Sequence, residues 1–217
     1  FVPMVCLVAR SVNPMRVSIP MTAASRRDQN ARNTRTAIIK CAHGLFSKQG
    51  FARTSIDSIA FEAQLTKGAV YHHFKDKKAV FQACFELQAQ SVAEALRAVP
   101  DAEGVWDQAE RTCRSFLDFV RLERRNAIPL QEVITVLGWE SWREIDTRHT
   151  FGFIEALVRR LQADGCIREY PADWLGTMIY GLMVDAAMTV SRDPREQTVS
   201  SLTDLVMTMI RGLQSAR

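Results

Sequence analysis

The sequence predicts an all-α protein, and three observations carry that prediction. Apolar residues recur at three- and four-residue intervals almost without interruption from residue 34 to residue 214. Alternating β-branched runs, the mark of a half-buried strand, are scarce. Helix breakers set the joints between periodic segments, at Gly50, Pro100, Gly104, Gly138, Gly165, Pro171 and Pro194. The 217 residues are 47% hydrophobic and 24% charged, ordinary globular proportions that exclude a disordered or fibrous chain. The longest apolar run, Phe1 to Ala9, is half of the roughly 18 residues a membrane span needs, and no basic segment precedes it as in a secretory leader. Five dispersed cysteines (Cys6, Cys41, Cys84, Cys113, Cys166) without C-x-x-C spacing predict neither a disulfide framework nor a structural zinc site, and point to a reducing cytosol.

Residues 1–30, with Pro3, Pro14 and Pro20 and no apolar period, read as a disordered tail or an extension, and Met21 is a candidate natural start. The first helix is expected from Thr34 as N-cap, with Ile38, Ala42, Leu45 and Phe46 on one stripe and Gly50 as the terminating C′ glycine. A short second helix follows Thr54 and Ser55, with Asp57 in its first turn and Ile56, Ile59, Ala60 and Ala63 on one face. After a turn at Gln64-Leu65, Thr66 caps a short third helix, Lys67 to His73. Asp76 then caps a long fourth helix that reaches Val99. Five further helices are expected near 105–124, 127–137, 141–164, 172–191 and 195–214, about nine in all.

Charge divides the chain unevenly. Residues 26–80 hold eleven Lys/Arg against four Asp/Glu, a net +7, while residues 81–217 hold fifteen against twenty, a net −5. A basic segment on a mildly acidic remainder suits a polyanion partner at one end only. That segment contains the two short helices and tight turn of a helix-turn-helix, whose second helix must enter a major groove about 12 Å wide. In Thr66-Lys67-Gly68-Ala69-Val70-Tyr71-His72-His73-Phe74, the small Gly68 and Ala69 let backbone approach closely. Val70 and Phe74 anchor the inner face, and Lys67, Tyr71 and His72 project outward.

Residues 34–81 resemble the DNA-binding domain of the tetracycline-repressor (TetR) family. The resemblance rests on Leu45-Phe46 through Gly50-Phe51, Thr54-Ser55-Ile56, Ile59-Ala60 with Ala63, and Lys67-Gly68-Ala69-Val70-Tyr71-His72-His73-Phe74 followed by Lys75-Asp76-Lys77. It implies a helix-turn-helix domain over 31–80 and a helical ligand-binding and dimerisation domain over 81–217. It further implies that Thr54 and Ser55 hold a phosphate at a helix N-terminus and that Thr66 and Lys67 face base edges or phosphate. Tyr71 would reach a phosphate and a thymine methyl, His72 the backbone, and Lys77 another phosphate. One position departs from the family: the turn has Gln64 where glycine is usual, and positive φ there costs about 1 kcal/mol.

No catalytic, metal or cofactor site is expected. Adjacent residues such as His72 and His73 diverge by about 100° on a helix, and His149 near Asp146 and Glu144 has no nucleophile beside it. The resemblance implies a cavity for a small apolar effector, with Phe116, Phe119, Trp139 and Phe151 as candidate lining. The last two helices are apolar enough to need a second copy. Leu175, Ile179, Leu182, Met183 and Ala186, with Leu202, Leu205, Val206 and Met209, are the candidate homodimer interface. The expected function is a cytoplasmic repressor released from a palindromic operator on double-stranded DNA by that effector. A constitutive DNA-binding protein without effector, and more remotely an all-helical enzyme, are the alternatives.

Overall fold

The computed structural model describes residues 23–214, so the tail expected over residues 1–30 lies outside the described residues as far as residue 22. Among the described residues the chain forms α1 (Ala23–Arg53), α2 (Ile56–Glu62), α3 (Lys67–His73), α4 (Lys77–Arg97), α5 (Val105–Glu123), α6 (Leu130–Leu137), α7 (Trp139–Asp146), a π-helical turn (Thr147–Phe151), α8 (Gly152–Ala163), α9 (Ala172–Arg192) and α10 (Glu196–Arg211), with no strand. The segments α7, π turn and α8 follow one another without a break and correspond to the single helix expected over 141–164. The expected start at 127 is corrected to Leu130: Pro129 occupies the N-cap, and its ring disfavours helical backbone at Ile128 before it.

The expected N-cap at Thr34 is also corrected: α1 begins at Ala23. Its first turns lack an apolar stripe and are held by side-chain bridges, Gln29 to Asn33 at 2.9 Å and Arg32 to Gln29 at 3.1 Å. Apolar periodicity is therefore silent over that stretch. The predicted stop holds, since Gly50 adopts φ 81° and kinks the helix before Phe51. Any side chain there would be strained, and its Cβ would stand 2.8 Å from Glu132 Oε1.

Two apolar clusters fill residues 35–214. The first gathers Ile38, Phe46, Ile59, Val70 and Phe81 from α1–α4 and continues into Val133, Trp142, Ile145 and Tyr180. Phe46, Phe51 and Phe81 meet at its centre, with ring centroids 4.9 to 5.9 Å apart. The second gathers Leu117, Leu161, Val190, Val206 and Met207 from α5, α8, α9 and α10. The core around α2 and α3 thus runs past residue 80 into α6 and α7. No described helix is long and apolar enough to cross a membrane.

Candidate nucleic-acid interface and internal cavity

The helix-turn-helix is built from local hydrogen bonds. Ser55 caps α2 in a reciprocal box: its hydroxyl accepts from Ser58 N at 3.0 Å, and its own N–H donates to Ser58 Oγ at 3.0 Å. The turn after α2 is a Schellman motif, with Leu65 N donating to Ala60 O at 2.9 Å and Gln64 N to Phe61 O at 3.0 Å. That motif needs positive φ at its C′ position, and Gln64 supplies it at φ 55°. The missing glycine leaves the turn geometry intact. Thr66 then caps α3 by accepting from Ala69 N at 3.1 Å.

One face of α3 is anchored and the other is open. Val70 is fully buried and Phe74 nearly so, with the Arg35 guanidinium 4.9 Å above the Phe74 ring. Thr66, Lys67, Gly68, Tyr71 and His72 are exposed, Tyr71 at 49%. Ala69 is half-buried. The Lys67 ammonium rests 2.9 Å from Asp57 Oδ2 across the motif, both ends exposed, and that carboxylate raises its pKa. His72 meets the half-buried His73 edge to face at 5.3 Å. Burial, with His72 and Arg35 nearby, lowers the His73 pKa. Among the described residues no three or more His, Cys, Asp or Glu side chains gather as metal ligands.

Two expected contacts are corrected. Thr54 is buried: its hydroxyl donates to Gly50 O at 2.8 Å and accepts from Gln49 at 3.2 Å, so it closes the Gly50 kink rather than facing a phosphate. The Lys77 ammonium donates to Phe51 O at 2.7 Å and Thr54 O at 2.8 Å and lies 4.1 Å from the Phe51 ring centre. These carbonyls lie at the C-terminal end of α1, where Phe51 O otherwise accepts only from Thr54 N at 3.3 Å, and the lysine supplies a donor to both. Ser55, by contrast, remains exposed at the α2 N-terminus. Lys75 and Lys78, not singled out in the sequence, flank Asp76 with exposed side chains. The sequence signal for Lys75 is its place in the matched Lys75-Asp76-Lys77 stretch, and that for Lys78 is the local charge.

A cavity of about 790 Å³ lies among α4, α5, α8 and α9. Phe116 and Phe119 line it as expected. Trp139 and Phe151 do not. The Trp139 indole is 56% exposed, and Phe151 packs on Tyr180 at 5.9 Å and against Gly176. The sequence also missed the polar lining. His43 of α1 reaches the wall and meets Gln88 Oε1 at 3.3 Å, and Gln88 is pinned by both backbone groups of Ile128, at 2.8 and 3.2 Å. Burial lowers the His43 pKa, against the smaller opposing pull of the Gln88 hydrogen bond. Asp146 receives the Thr150 hydroxyl at 2.5 Å and the Tyr180 hydroxyl, both on Oδ2. Burial raises the Asp146 carboxyl against the opposing pull of those donors and of Arg143.

The expected dimer residues divide by helical phase. Leu175, Met183, Ala186 and Val206 are buried in the chain's own core, facing α5 and α8, and Ile179, Leu182 and Leu202 are half-buried. Of the expected residues only Leu205 and Met209 on α10 point outward, and they are joined by Trp174 and Met178 on α9, which were not in the expected set. The sequence reading merged two stripes on each helix, because both are apolar.

A profile of bacterial regulatory proteins of the tetR family matches residues 38–84, and a profile of the tetracyclin repressor-like C-terminal domain matches residues 106–213. The TetC protein of transposon Tn10 from Escherichia coli is 29% identical over 168 residues, 77% of this chain and 85% of that protein. The transcriptional regulator AcrR of Shigella flexneri is 42% identical over 71 residues, 33% of each chain. The crystal structure of a TetR-family regulator from Pectobacterium atrosepticum, 29% identical, superposes with a TM-score of 0.70 over 90% of this chain and 99% of that one. Matched at both its helix-turn-helix and its helical C-terminal part, this chain belongs to the tetracycline-repressor family of DNA-binding transcriptional regulators.

Proposed function

We propose that the chain acts in the cytosol as a homodimeric repressor. Its two α3 helices enter successive major grooves of a palindromic operator, and a small apolar ligand in the cavity releases it. In this reading residues 31–80 read DNA, and residues 81–217 sense ligand and dimerise. The observation that carries it is the two-sided α3, locked by Val70 and Phe74 and open along Thr66, Lys67, Gly68, Tyr71 and His72. Ser55 and the N-terminal end of α4, with Lys75 and Lys78 beside it, add phosphate contacts that fix register. The exposed Trp174, Met178, Leu205 and Met209 supply the apolar seam of a four-helix bundle across a two-fold axis.

Release follows from the physical continuity between the two functions. The long α4 starts beside α3 and carries Phe85 and Gln88 into the cavity wall. Helix α1 places His43 in the same wall, and Glu132 of α6 accepts the Phe51 N–H at 2.8 Å where α1 ends. A ligand acts only if it binds better to a dimer whose α3 helices are spaced wrongly for DNA. A constitutive binder gives the cavity no role.

In vitro selection from random duplexes with the full chain tests the reading. The expected result is a palindrome whose half-sites lie about one helical turn, roughly 34–36 Å, apart, with affinity that falls steeply with salt. No enriched sequence, or a single unpaired half-site bound by a monomer, overturns it.

A further inference from the structure

An ion pair joins α2 to α3 on the open face of the motif. Lys67 Nζ donates to Asp57 Oδ2 at 2.9 Å, and the two side chains are 53% and 67% exposed. Asp57 Oδ1 takes no hydrogen bond among the described residues. Lys67 is the first residue of α3, the end at which a recognition helix meets base edges, and Asp57 lies in the first turn of α2. A Cβ on Gly68 would meet only Thr66 Oγ1, at 3.9 Å, so the backbone beside the pair is open to close approach. Tyr71, one turn on from Lys67, is exposed on the same side. The other carboxylate of the two helices, Glu62, stands about 140° round α2 from Asp57 and leaves the pair undisturbed.

The pair is a donor and an acceptor held side by side. With one N–H on Asp57, the ammonium keeps two more, and Oδ1 is free to accept. A phosphate suits the ammonium but stands against the carboxylate, so the pair as a unit fits a base edge better than the DNA backbone. In the major groove a G·C pair presents the N7 and O6 acceptors of guanine and then the N4–H donor of cytosine. Two ammonium N–H groups can meet N7 and O6 while Oδ1 takes N4–H, and the bond between Lys67 and Asp57 stays whole. T·A offers the middle acceptor and the donor, but sets a methyl where N7 would be. A·T and C·G put an acceptor, thymine O4 or guanine O6, against the carboxylate. Resting on the reading of α3 as the groove-entering helix, we propose that Lys67 and Asp57 together read one G·C base pair of each half-site, guanine by Lys67 and cytosine by Asp57. Asp57 is thereby a specificity-determining residue contributed by α2.

Selection from random duplexes with the full chain, and with its Lys67→Ala and Asp57→Ala variants, tests this. The unaltered chain is expected to fix one G·C pair per half-site that both variants relax. Changing that pair to A·T should cost the unaltered chain about tenfold or more in affinity per half-site. In Asp57→Ala the same change should cost about threefold or less, since adenine N7 still accepts from Lys67 and no carboxylate opposes thymine O4. Asp57→Ala should also bind a scrambled duplex more tightly, with a salt slope steeper by about one, because the freed ammonium takes a phosphate. If Asp57→Ala gains affinity for every duplex with its base preferences unchanged, Asp57 is a charge screen only and the joint reading falls. It falls equally if the two variants relax different base pairs, or if the pair they relax is not G·C; in these cases α3 still reads DNA. If the unaltered chain enriches no sequence, the groove-entering reading falls as well.

Discussion

The recognition motif and the cavity-bearing bundle are built by different physics. In the motif, each functional position is set by bonds within a few residues: Ser55 with Ser58, Thr66 with Ala69, Leu65 with Ala60. In the bundle, the corresponding positions are set by partners far away in sequence, Asp146 with Tyr180 and His43 with Gln88 and Ile128. A function carried by local bonds is written in contiguous sequence. A function carried by packing emerges only when helices meet. Yet the two regions share one core, because the cluster under α3 continues to Trp142 and Tyr180 in the cavity wall.

Truncating that shared core tests how far the two regions are separable, and it has the largest expected effect. Phe81 is fully buried and its ring meets both Phe46 and Phe51. Phe81→Ala should lose about 3–5 kcal/mol of stability, with helical signal and ligand protection lost in the same urea transition. A mutant that unfolds in two steps, with the bundle surviving, would show that the regions fold apart. The opposite probe leaves the core alone. Lys67→Ala with Tyr71→Ala should weaken operator binding by about thirtyfold or more, from two contacts worth roughly 1–3 kcal/mol each, with an unchanged Tm. Retained operator affinity in that double mutant would remove the assigned reading surface.

Much of the motif was legible before folding. The α2–α3 caps, the Gly50 stop and the Val70/Phe74 anchor all follow from residue type and spacing, and the structure has each of them. The Thr54 hydroxyl and the Lys77 ammonium are instead drawn to the carbonyls of Gly50, Phe51 and Thr54 at the end of α1, a tertiary arrangement that spacing does not encode. In the bundle, periodicity gave the helices but not their phase, since α9 is apolar on more than one side. The outward Trp174 and Met178 therefore passed unseen beside Leu175 and Ile179. The Asp146–Tyr180 contact in the cavity wall had no local signal, as the two residues lie 34 apart in sequence.

Lys77 separates a phosphate contact from a structural one. Lys77→Met removes the donor to Phe51 O and Thr54 O and should cost about 1–3 kcal/mol in urea unfolding. Lys78→Met on the exposed side should leave stability unchanged and lower the salt slope of operator binding by about one. Equal stability of the two variants would restore the phosphate role to Lys77. A pH series probes the link through the cavity wall. Burial holds His43 below the ordinary histidine value of 6.5. The unfolded chain therefore binds that proton more readily, and stability falls as pH drops through 6.5 toward the lower folded value. His43→Gln should flatten that part of the profile, while an unchanged slope would assign it to another group, His73 first.

The smallest effect tests the most local feature. Gln64 sits at φ 55° in the Schellman turn, where a non-glycine residue loses about 1–2 kcal/mol to the clash of Cβ with its own backbone. Glycine removes that strain but loses more chain entropy on folding, roughly 0.4–1 kcal/mol. The difference favours glycine, so Gln64→Gly should raise stability by a few tenths to about 1 kcal/mol, or a Tm gain of about 1–4 °C for a domain of this size. Gln64→Val should lose more than it, because a β-branched residue at positive φ is strained at χ1 as well. The sign matters more than the size. If Gln64→Gly destabilises, the glutamine side chain contributes a contact that outweighs its backbone strain, and the turn is then held by more than its backbone hydrogen bonds.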